Sequence, residues 1–410
     1  MTVRIITGDA LEQLRLLPDE SVHMCVTSPP YYGLRDYGTA RWEGGDPACS
    51  HRAPDEAGVT NKPTSGQREH AGRFAGPSCQ RCGARRIDSQ IGLEPTPDEY
   101  IAALVAVFRE TRRVLRPDGT LWLNIGDSYH NYRVHKDGGQ PAQGFHNDRH
   151  GQPASGGRNR GSRLDGIKEK DLIGIPWMLA FALRADGWYL RQDIIWSKPN
   201  PMPESVQDRC TKAHEYLFLL SKSERYWFDA AAIAESMATS SVARLSQPSL
   251  AMQAGSSRVP GKTNGPMRAV GSLHMEQTQR KDGARWRTAD GGVAVRGERN
   301  KRSVWEVATK PFSEAHFATF PPALIEPCIL AGCPRGGTVL DPFGGAGTTG
   351  LVADRLGRSA TMIELNPEYA EMARRRIAND AGMFATVCSS EIPPPQASGT
   401  LFDHMDAADD

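Results

Sequence analysis

The sequence has few of the features that mark membrane-spanning, secreted or disulfide-bonded proteins. Its 410 residues contain no apolar run approaching the roughly 18 residues that cross a bilayer, so we expect no membrane span. The first residues lack a basic segment followed by an apolar run and a small-residue cleavage site, which indicates a cytoplasmic protein. Eight cysteines are too few for a disulfide scaffold, and clustered cysteines in a reducing compartment favour a metal site.

The net charge of +1 gives no indication of a nucleic-acid partner, but the charges are unevenly distributed. Between residues 240 and 302 basic residues far outnumber acidic ones, whereas residues 385–410 contain acids and no lysine or arginine. A basic tract on a near-neutral protein is typical of a surface that follows phosphates. Charge alone favours the plainer interpretation, a solvated and flexible loop.

Segments with strand periodicity alternate with segments of helix periodicity along much of the chain. They cover residues 3–32, 96–126, 172–221 and 321–377. The clearest helix begins at Thr96-Pro97-Asp98-Glu99, a capping residue followed by proline and two acids, and it is expected to end near Pro117. This alternation predicts an α/β fold with a doubly wound, mostly parallel sheet covered by helices on both faces.

A glycine-rich turn, Gly345-Ala346-Gly347-Thr348-Thr349-Gly350, joins a predicted strand to a predicted helix. Glycines let the backbone approach a ligand closely, and a helix N-terminus attracts an anionic group. One strand later, Glu364 can accept hydrogen bonds from both hydroxyls of a ribose. The spacing also matches a dinucleotide-binding turn, and a tight turn without a ligand is a third interpretation. Asp341-Pro342-Phe343 before the glycines is not typical of nicotinamide sites, which favours S-adenosyl-L-methionine (SAM).

The string Ser28-Pro29-Pro30-Tyr31 follows a predicted buried strand. Proline fixes φ and has no N–H, so consecutive prolines present carbonyl oxygens in a rigid frame. An exocyclic amino group is a poor nucleophile, and the Ser28 hydroxyl and the Pro29 carbonyl could accept its protons while Tyr31 stacks on the base. Alone, the string would favour an ordinary turn or an exposed proline-rich ligand.

Together these segments resemble the family of DNA amino-methyltransferases, in the beta class, where the catalytic motif precedes the cofactor motif. Residues 27–31 resemble the catalytic motif, and residues 341–349 resemble the cofactor motif. Residues 364–367 are similar to the segment with the ribose-binding acid, and residues 8–11 to the segment whose acid contacts the adenine. Further similar segments are residues 122–129, 175–215 and 316–324.

The resemblance implies two sets of site residues. The catalytic residues are Ser28, Pro29, Pro30 and Tyr31. The cofactor-binding residues are Asp9, Asp341, Phe343, Gly345, Gly347, Thr348, Thr349 and Glu364. The implied reaction moves the methyl group of SAM directly to an exocyclic amino group of a base flipped out of double-stranded DNA.

The first residue of the catalytic motif bears on the choice of base. The family's adenine enzymes favour aspartate there, whereas serine is commoner among those that act on cytosine, so Ser28 favours cytosine N4 over adenine N6. Related enzymes acting on RNA or on protein glutamine usually have asparagine in this place. The resemblance also allows a cognate restriction endonuclease as partner, or none, and a homodimer. Two other classes stay open, an NAD-dependent oxidoreductase and a non-catalytic zinc- and DNA-binding module.

Four residues in a polar stretch could bind zinc. Cys49, His51, Cys79 and Cys82 would supply the three sulfurs and one imidazole of a closed tetrahedral site. The glycine after Cys82 suits a turn whose N–H groups face a thiolate. A redox pair would need a helix at its first cysteine, which this arginine-rich loop does not predict, and unliganded loop cysteines are the other alternative.

These observations divide the chain into six parts. The catalytic domain comprises residues 1–45, 91–232 and 303–384, and the last of these binds the cofactor. Residues 46–90 form a zinc-binding insertion, residues 233–302 a DNA target-recognition segment, and residues 385–410 an acidic, disordered tail.

Overall fold

A computed structural model of the chain describes residues 1–33, 37, 39–49, 78–79, 81–130, 164, 166–245, 298–309, 319–381 and 386–389. The predicted zinc ligand His51 and most of the segment 233–302 lie outside these ranges. No helix within them is both long enough and apolar enough to cross a membrane.

The secondary-structure elements alternate through most of the chain. The strands are β1 (Thr2–Thr7), β2 (Val22–Thr27), β3 (Arg41–Glu43), β4 (Arg85–Ile87), β5 (Leu115–Ile125), β6 (Tyr189–Ser197), β7 (His214–Ser221), β8 (Glu235–Ser236), β9 (Glu298–Arg299), β10 (Val304–Glu306), β11 (Thr338–Asp341), β12 (Ser359–Glu364) and β13 (Thr386–Ser389). The helices are α1 (Ala10–Arg15), α2 (Pro97–Val114), α3 (Ile175–Ala185), α4 (Thr239–Leu245), α5 (Pro322–Gly332), α6 (Thr348–Arg355) and α7 (Pro367–Ala381).

Nine strands form one sheet in the order β10-β6-β7-β5-β2-β11-β12-β1-β13. Strand β7 runs antiparallel to its neighbours β5 and β6, and the remaining pairs of this sheet are parallel. The sheet contains strands from all three predicted parts of the catalytic domain. The mostly parallel α/β fold that the sequence predicts is confirmed.

Buried apolar side chains lie on both faces of this sheet. On β1, Ile5 belongs to one core and Ile6 to the other, because successive strand residues point to opposite faces. The Ile6 core includes residues of α1, α2 and α3, and the Ile5 core includes residues of α5, α6 and α7. Helices therefore cover both faces, as a doubly wound sheet requires.

The long helix α2 begins where the sequence predicts but ends earlier. The Thr96 hydroxyl accepts a hydrogen bond from the Glu99 N–H at 3.2 Å and caps the helix, with Pro97 in its first turn. The expected end near Pro117 was wrong, because Leu115 is extended (φ −69°, ψ 139°) and already belongs to β5. A proline disfavours helical backbone in the residue before it, so the helix could not have run through Arg116 without strain.

The predicted disordered tail also needs a correction. Residues Thr386–Ser389 lie within the segment 385–410 but form β13, which pairs with β1 in parallel. The outer edge of β1 presents backbone groups that need partners, and β13 supplies them. Thr386 and Val387 are β-branched, which favours a strand, whereas the acidic composition that suggested disorder comes from the residues after them.

Two short antiparallel strand pairs that the sequence did not predict lie at the ends of two long polar stretches, residues 41–88 and 233–302. Strands β3 and β4 pair within residues 41–88, and β8 pairs with β9 at the two ends of the segment 233–302. Glu235 on β8 forms ion pairs with Arg299 and Lys301 near β9. The ends of the proposed recognition segment are therefore held together beside the sheet.

Candidate active site

Four neighbouring strands, β2, β11, β12 and β1, end at the same edge of the sheet. The catalytic motif begins at Ser28 directly after β2, and the glycine turn follows β11. Glu364 ends β12 and Asp9 follows β1, while the Gly8 N–H donates to the Glu364 carbonyl at 2.9 Å. The structure brings the predicted catalytic and cofactor-binding segments together, as expected at the carboxyl ends of parallel strands.

A buried carboxylate connects the catalytic strand to the cofactor turn. Asp341 is 1% exposed, and its two oxygens accept hydrogen bonds from the Thr27 hydroxyl at 2.6 Å and the Thr349 hydroxyl at 2.5 Å. The Phe343 N–H donates to it at 3.0 Å. Burial raises the pKa of Asp341, and these donors oppose the shift. Because Thr27 directly precedes Ser28, Asp341 fixes the start of the catalytic motif relative to the glycine turn.

The glycine turn adopts backbone conformations that favour glycine. Gly345 has φ 50° and Gly347 has φ 79°. A Cβ on Gly347 would lie 2.8 Å from the Ala373 Cβ, so this turn packs directly against α7. Thr348 and Thr349 are buried and begin α6, whose first N–H groups lack partners within the helix and can bind an anion.

Glu364 is a partly buried acid at the end of β12. Its oxygens accept hydrogen bonds from the Gly345 N–H at 2.8 Å and the Asn366 N–H at 2.9 Å. Burial nevertheless raises its pKa to about 7. A carboxylate offers about four lone-pair sites, so two donors leave it able to accept the two hydroxyls of a ribose. The glycine turn and this acid together fit SAM.

Asp9 has a local role in addition to the predicted one. Its carboxylate accepts a hydrogen bond from the Glu12 N–H at 3.0 Å and caps α1. Phe343 is partly buried and packs against the core on the α1 side of the sheet. The contact of Asp9 with an adenine, and the cofactor contacts of Asp341 and Phe343, stay predictions.

The catalytic motif is held rigidly on its buried side. Ser28 is partly exposed, Pro29 is buried, and the Pro30 carbonyl accepts a hydrogen bond from the Tyr100 hydroxyl at 2.8 Å. Tyr31 lies with its ring against Gly126, where a Cβ would come within 2.6 Å of the Tyr31 Cε2. The motif therefore has its serine partly exposed and its tyrosine packed against the backbone that follows β5.

Three polar residues around Tyr31 received no role from the sequence. The Tyr31 hydroxyl donates to Glu215 Oε2 at 2.7 Å and lies 3.4 Å from Asn124 Oδ1, while Lys198 forms an ion pair with Glu215. Their signal in the sequence was that each is a polar residue beside an apolar strand segment: Asn124 near the end of β5, Lys198 just after β6 and Glu215 at the start of β7. Burial and the Glu215 charge both raise the pKa of Tyr31, which keeps its hydroxyl protonated.

The structure also brings three of the four predicted zinc ligands together. The sulfurs of Cys49, Cys79 and Cys82 all lie within 4.8 Å of one another. The Cys49 and Cys79 sulfurs are 3.8 Å apart, too far for a disulfide. Two thiolates bound tetrahedrally to zinc at about 2.3 Å are also about 3.8 Å apart. The described part of this cluster therefore fits a zinc ion.

The insertion that carries these cysteines is tied to the active site. The residues that lead into the insertion bind its last residues: the Tyr37 N–H donates to Gln90 Oε1 at 2.7 Å, and the Thr39 hydroxyl donates to Asp88 at 3.0 Å. The Asn366 side chain, two residues beyond Glu364, donates to the Tyr37 carbonyl at 3.2 Å. The segment that follows the catalytic motif thus contacts the cofactor edge.

A single substitution tests the connection through Asp341. Thr27→Val keeps the side-chain shape but removes one donor to a buried carboxylate, so we expect the free energy of unfolding to fall by about 2–3 kcal/mol. Urea unfolding followed by circular dichroism measures the change. Thr27→Ser keeps the hydroxyl and should lose only about 1 kcal/mol of apolar burial. Equal stability of the two variants would contradict the role of this hydrogen bond.

Comparisons with known proteins agree with this geometry. Residues 22–375 match the family of N6 and N4 methyltransferases described as "DNA methylase". The chain is 39% identical over 376 residues to the Type II methyltransferase M.Cfr9I of Citrobacter freundii, covering 92% of this chain and 88% of the relative. It is 38% identical over 374 residues to the Type II methyltransferase M.SmaI of Serratia marcescens, covering 91% and 90%.

These matches confirm the reaction class that the motif resemblance predicts, SAM-dependent methyl transfer to DNA. They do not support the two other classes left open by the sequence, an NAD-dependent oxidoreductase and a non-catalytic zinc- and DNA-binding module. With the family match extending over most of its length and the catalytic and cofactor motifs meeting at one edge of its sheet, the chain belongs to the DNA methylase family.

Proposed function

We propose that this DNA methylase transfers the methyl group of SAM to N4 of cytosine at a specific site in double-stranded DNA, using the motif Ser28-Pro29-Pro30-Tyr31. One observation carries the proposal. Asp341 accepts hydrogen bonds both from Thr27, which precedes the serine, and from Thr349 in the cofactor turn. A base amino group held by Ser28 would therefore lie beside the glycine turn, because the two segments share one buried anchor.

The residues of the chain would supply positioning and hydrogen-bond acceptors. When bound, SAM supplies an electrophilic methyl group on a sulfonium. The Ser28 hydroxyl and the Pro29 carbonyl would accept the two protons of the amino group, which makes its nitrogen lone pair available for the reaction. Flipping the base out of the duplex costs a few kcal/mol, of order 2–4, which contacts with the catalytic motif must offset. Glu364 would hold the ribose and the N-terminus of α6 the carboxylate of the cofactor.

Cytosine is favoured by Ser28 in the first position of the motif, and adenine N6 is the alternative. The basic segment 233–302 would contact the DNA phosphates and read the target sequence. A cognate restriction endonuclease is proposed as a functional partner on the strength of the relatives' designation as Type II methyltransferases. A homodimer stays a prediction.

Removing the serine hydroxyl tests the catalytic assignment. Ser28→Ala should bind SAM with unchanged affinity but lose most methyl transfer, about a hundredfold, because one of two acceptors at the reacting nitrogen is gone. Calorimetry measures the affinity, and transfer of a labelled methyl group to DNA measures the activity. Sequencing DNA from an expressing host with detection of modified bases identifies the base and site. N6-methyladenine instead of N4-methylcytosine would overturn the choice of base, and near-normal turnover would overturn the role of Ser28.

The raised pKa of Glu364 predicts how cofactor affinity depends on pH. Ribose hydroxyls donate more strongly to a carboxylate than to a neutral carboxyl, so SAM should bind more weakly as the pH falls through about 7. Calorimetry from about pH 6 to about pH 8 measures this dependence. Glu364→Gln should bind weakly at every pH, because its amide does not titrate. A wild-type affinity that strengthens on acidification would contradict the assignment.

The raised pKa of Glu364 also makes the free energy of unfolding of the cofactor-free chain depend on pH. As the pH rises from about 4.5 to about 7, the folded chain keeps a proton on Glu364 that the unfolded chain has released. Stability contributed by this group is therefore present below that window and is lost as the pH rises through it. Glu364→Gln should abolish this component, which urea unfolding at both ends of the window detects.

We further propose that Cys49, Cys79, Cys82 and His51 bind a structural zinc ion. Elemental analysis of the purified chain should find about one zinc per molecule. Cys82→Ser should lose the metal, whereas Cys210→Ser should keep it, because Cys210 is exposed and outside the cluster. His51→Ala tests the fourth ligand separately. Full zinc content in Cys82→Ser would exclude this site.

A further inference from the structure

We propose that Glu215, held by Lys198, is a positioning residue that fixes the orientation of the Tyr31 ring towards the target base. The inference rests on the proposed function, since it concerns how the catalytic motif receives that base. Glu215 and Lys198 come from β7 and from the residue that follows β6, two strands that carry neither the catalytic nor the cofactor motif. Their contribution depends on the antiparallel position of β7 between β5 and β6.

The Tyr31 ring is constrained at two points. Its edge lies against Gly126, where the missing side chain leaves the space that the ring fills. Its hydroxyl donates to Glu215 Oε2 at 2.7 Å, and Asn124 Oδ1 lies 3.4 Å away. Turning the ring would break the hydrogen bond to Glu215 or push the ring into the Gly126 backbone. A flipped base that stacks on Tyr31 would therefore find the ring already in its binding orientation. No conformational entropy of this side chain would then be lost when the base binds.

The Glu215 carboxylate is itself fixed from several sides. Lys198 forms an ion pair with one oxygen, and the Asn124 Nδ2 lies 3.4 Å from the other. The two charged side chains are only 18% and 17% exposed, so their attraction is screened less than that of a surface pair. Lys198 in turn lies 4.3 Å from the centre of the Trp196 ring, and its backbone N–H donates to the Ala213 carbonyl at 2.8 Å.

The structure also suggests how this role differs from simple stabilisation. If Glu215 acts through Tyr31, its loss should lower kcat and leave the Kd for SAM unchanged, because its hydrogen bonds and ion pair are with Tyr31, Asn124 and Lys198 and not with the residues that would hold the cofactor. Glu215→Gln retains an oxygen that accepts from Tyr31 and should keep kcat within about fivefold of the wild type. Glu215→Leu retains no acceptor, and its kcat should fall about a hundredfold, the effect expected from a misplaced reacting group.

The deciding experiment is a double-mutant cycle with Tyr31→Phe, measured in the full chain with saturating SAM and DNA. In the Tyr31→Phe background, Glu215→Gln and Glu215→Leu should have the same kcat, because the hydroxyl through which Glu215 acts is absent. Since Glu215→Leu leaves Lys198 without its partner, the cycle is repeated with Lys198→Met in every variant to remove the unpaired charge. Glu204→Gln, in the connection that leads from β6 to β7 and paired with Arg209, is the matched control and should have the wild-type kcat.

Two results would overturn the inference. Effects of Glu215→Leu and Tyr31→Phe that simply add would show that Glu215 does not act through the hydroxyl. A parallel loss of SAM affinity and melting temperature in Glu215→Leu would show that the residue only stabilises the fold. Failure of the proposed function is distinguishable from both, because the wild-type chain itself would then place no methyl group on a DNA amino nitrogen.

Discussion

A carboxylate can be buried only where donors replace the water it loses, and this requirement at Asp341 organises the whole site. Its donors are the hydroxyls of Thr27 and Thr349 and the N–H of Phe343. Thr27 is far from the other two in the chain, so the acid is satisfied only when β2 lies beside β11 and α6 has formed. An unsatisfied carboxylate in this position would cost several kcal/mol, of order 3–5. The order of the two motifs along the chain therefore matters less than their shared anchor.

Three acids at the same edge have different roles because their surroundings differ. Asp341 is enclosed by side-chain hydroxyls and serves the assembly of the sheet. Glu364 accepts hydrogen bonds from backbone N–H groups, but these do not fully replace the water that it loses, so burial raises its pKa to about 7. It can therefore accept further hydrogen bonds from a ligand. Glu215 has a cation beside it and is available to hold Tyr31. The number and kind of donors, more than the residue type, decide between folding, binding and positioning.

Much of this could be predicted from the sequence because the signals are local. The catalytic motif, the glycine turn and Glu364 each follow an apolar strand, and parallel strands must end at a common edge. Glu215 could not be placed in this way, since its contact with Tyr31 depends on β7 running antiparallel between β5 and β6. The sequence did not predict strand β13, because its structure depends on pairing with β1, whereas the local composition indicated a disordered tail.

The cysteine cluster is another feature that depends on contacts between residues distant in the sequence. Cys79 and Cys82 are close in sequence, but Cys49 joins them only because β3 pairs with β4 and closes a long connection. Closing such a connection costs entropy that grows with its length, and a bound metal would reduce the cost by cross-linking its arms. The segment that leads into the insertion contacts the cofactor edge, because the Asn366 side chain donates a hydrogen bond to the Tyr37 carbonyl. Interactions that stabilise the closed insertion therefore also hold this segment against the cofactor edge. Metal binding and cofactor binding would then stabilise one another, although their ligands lie on different parts of the chain.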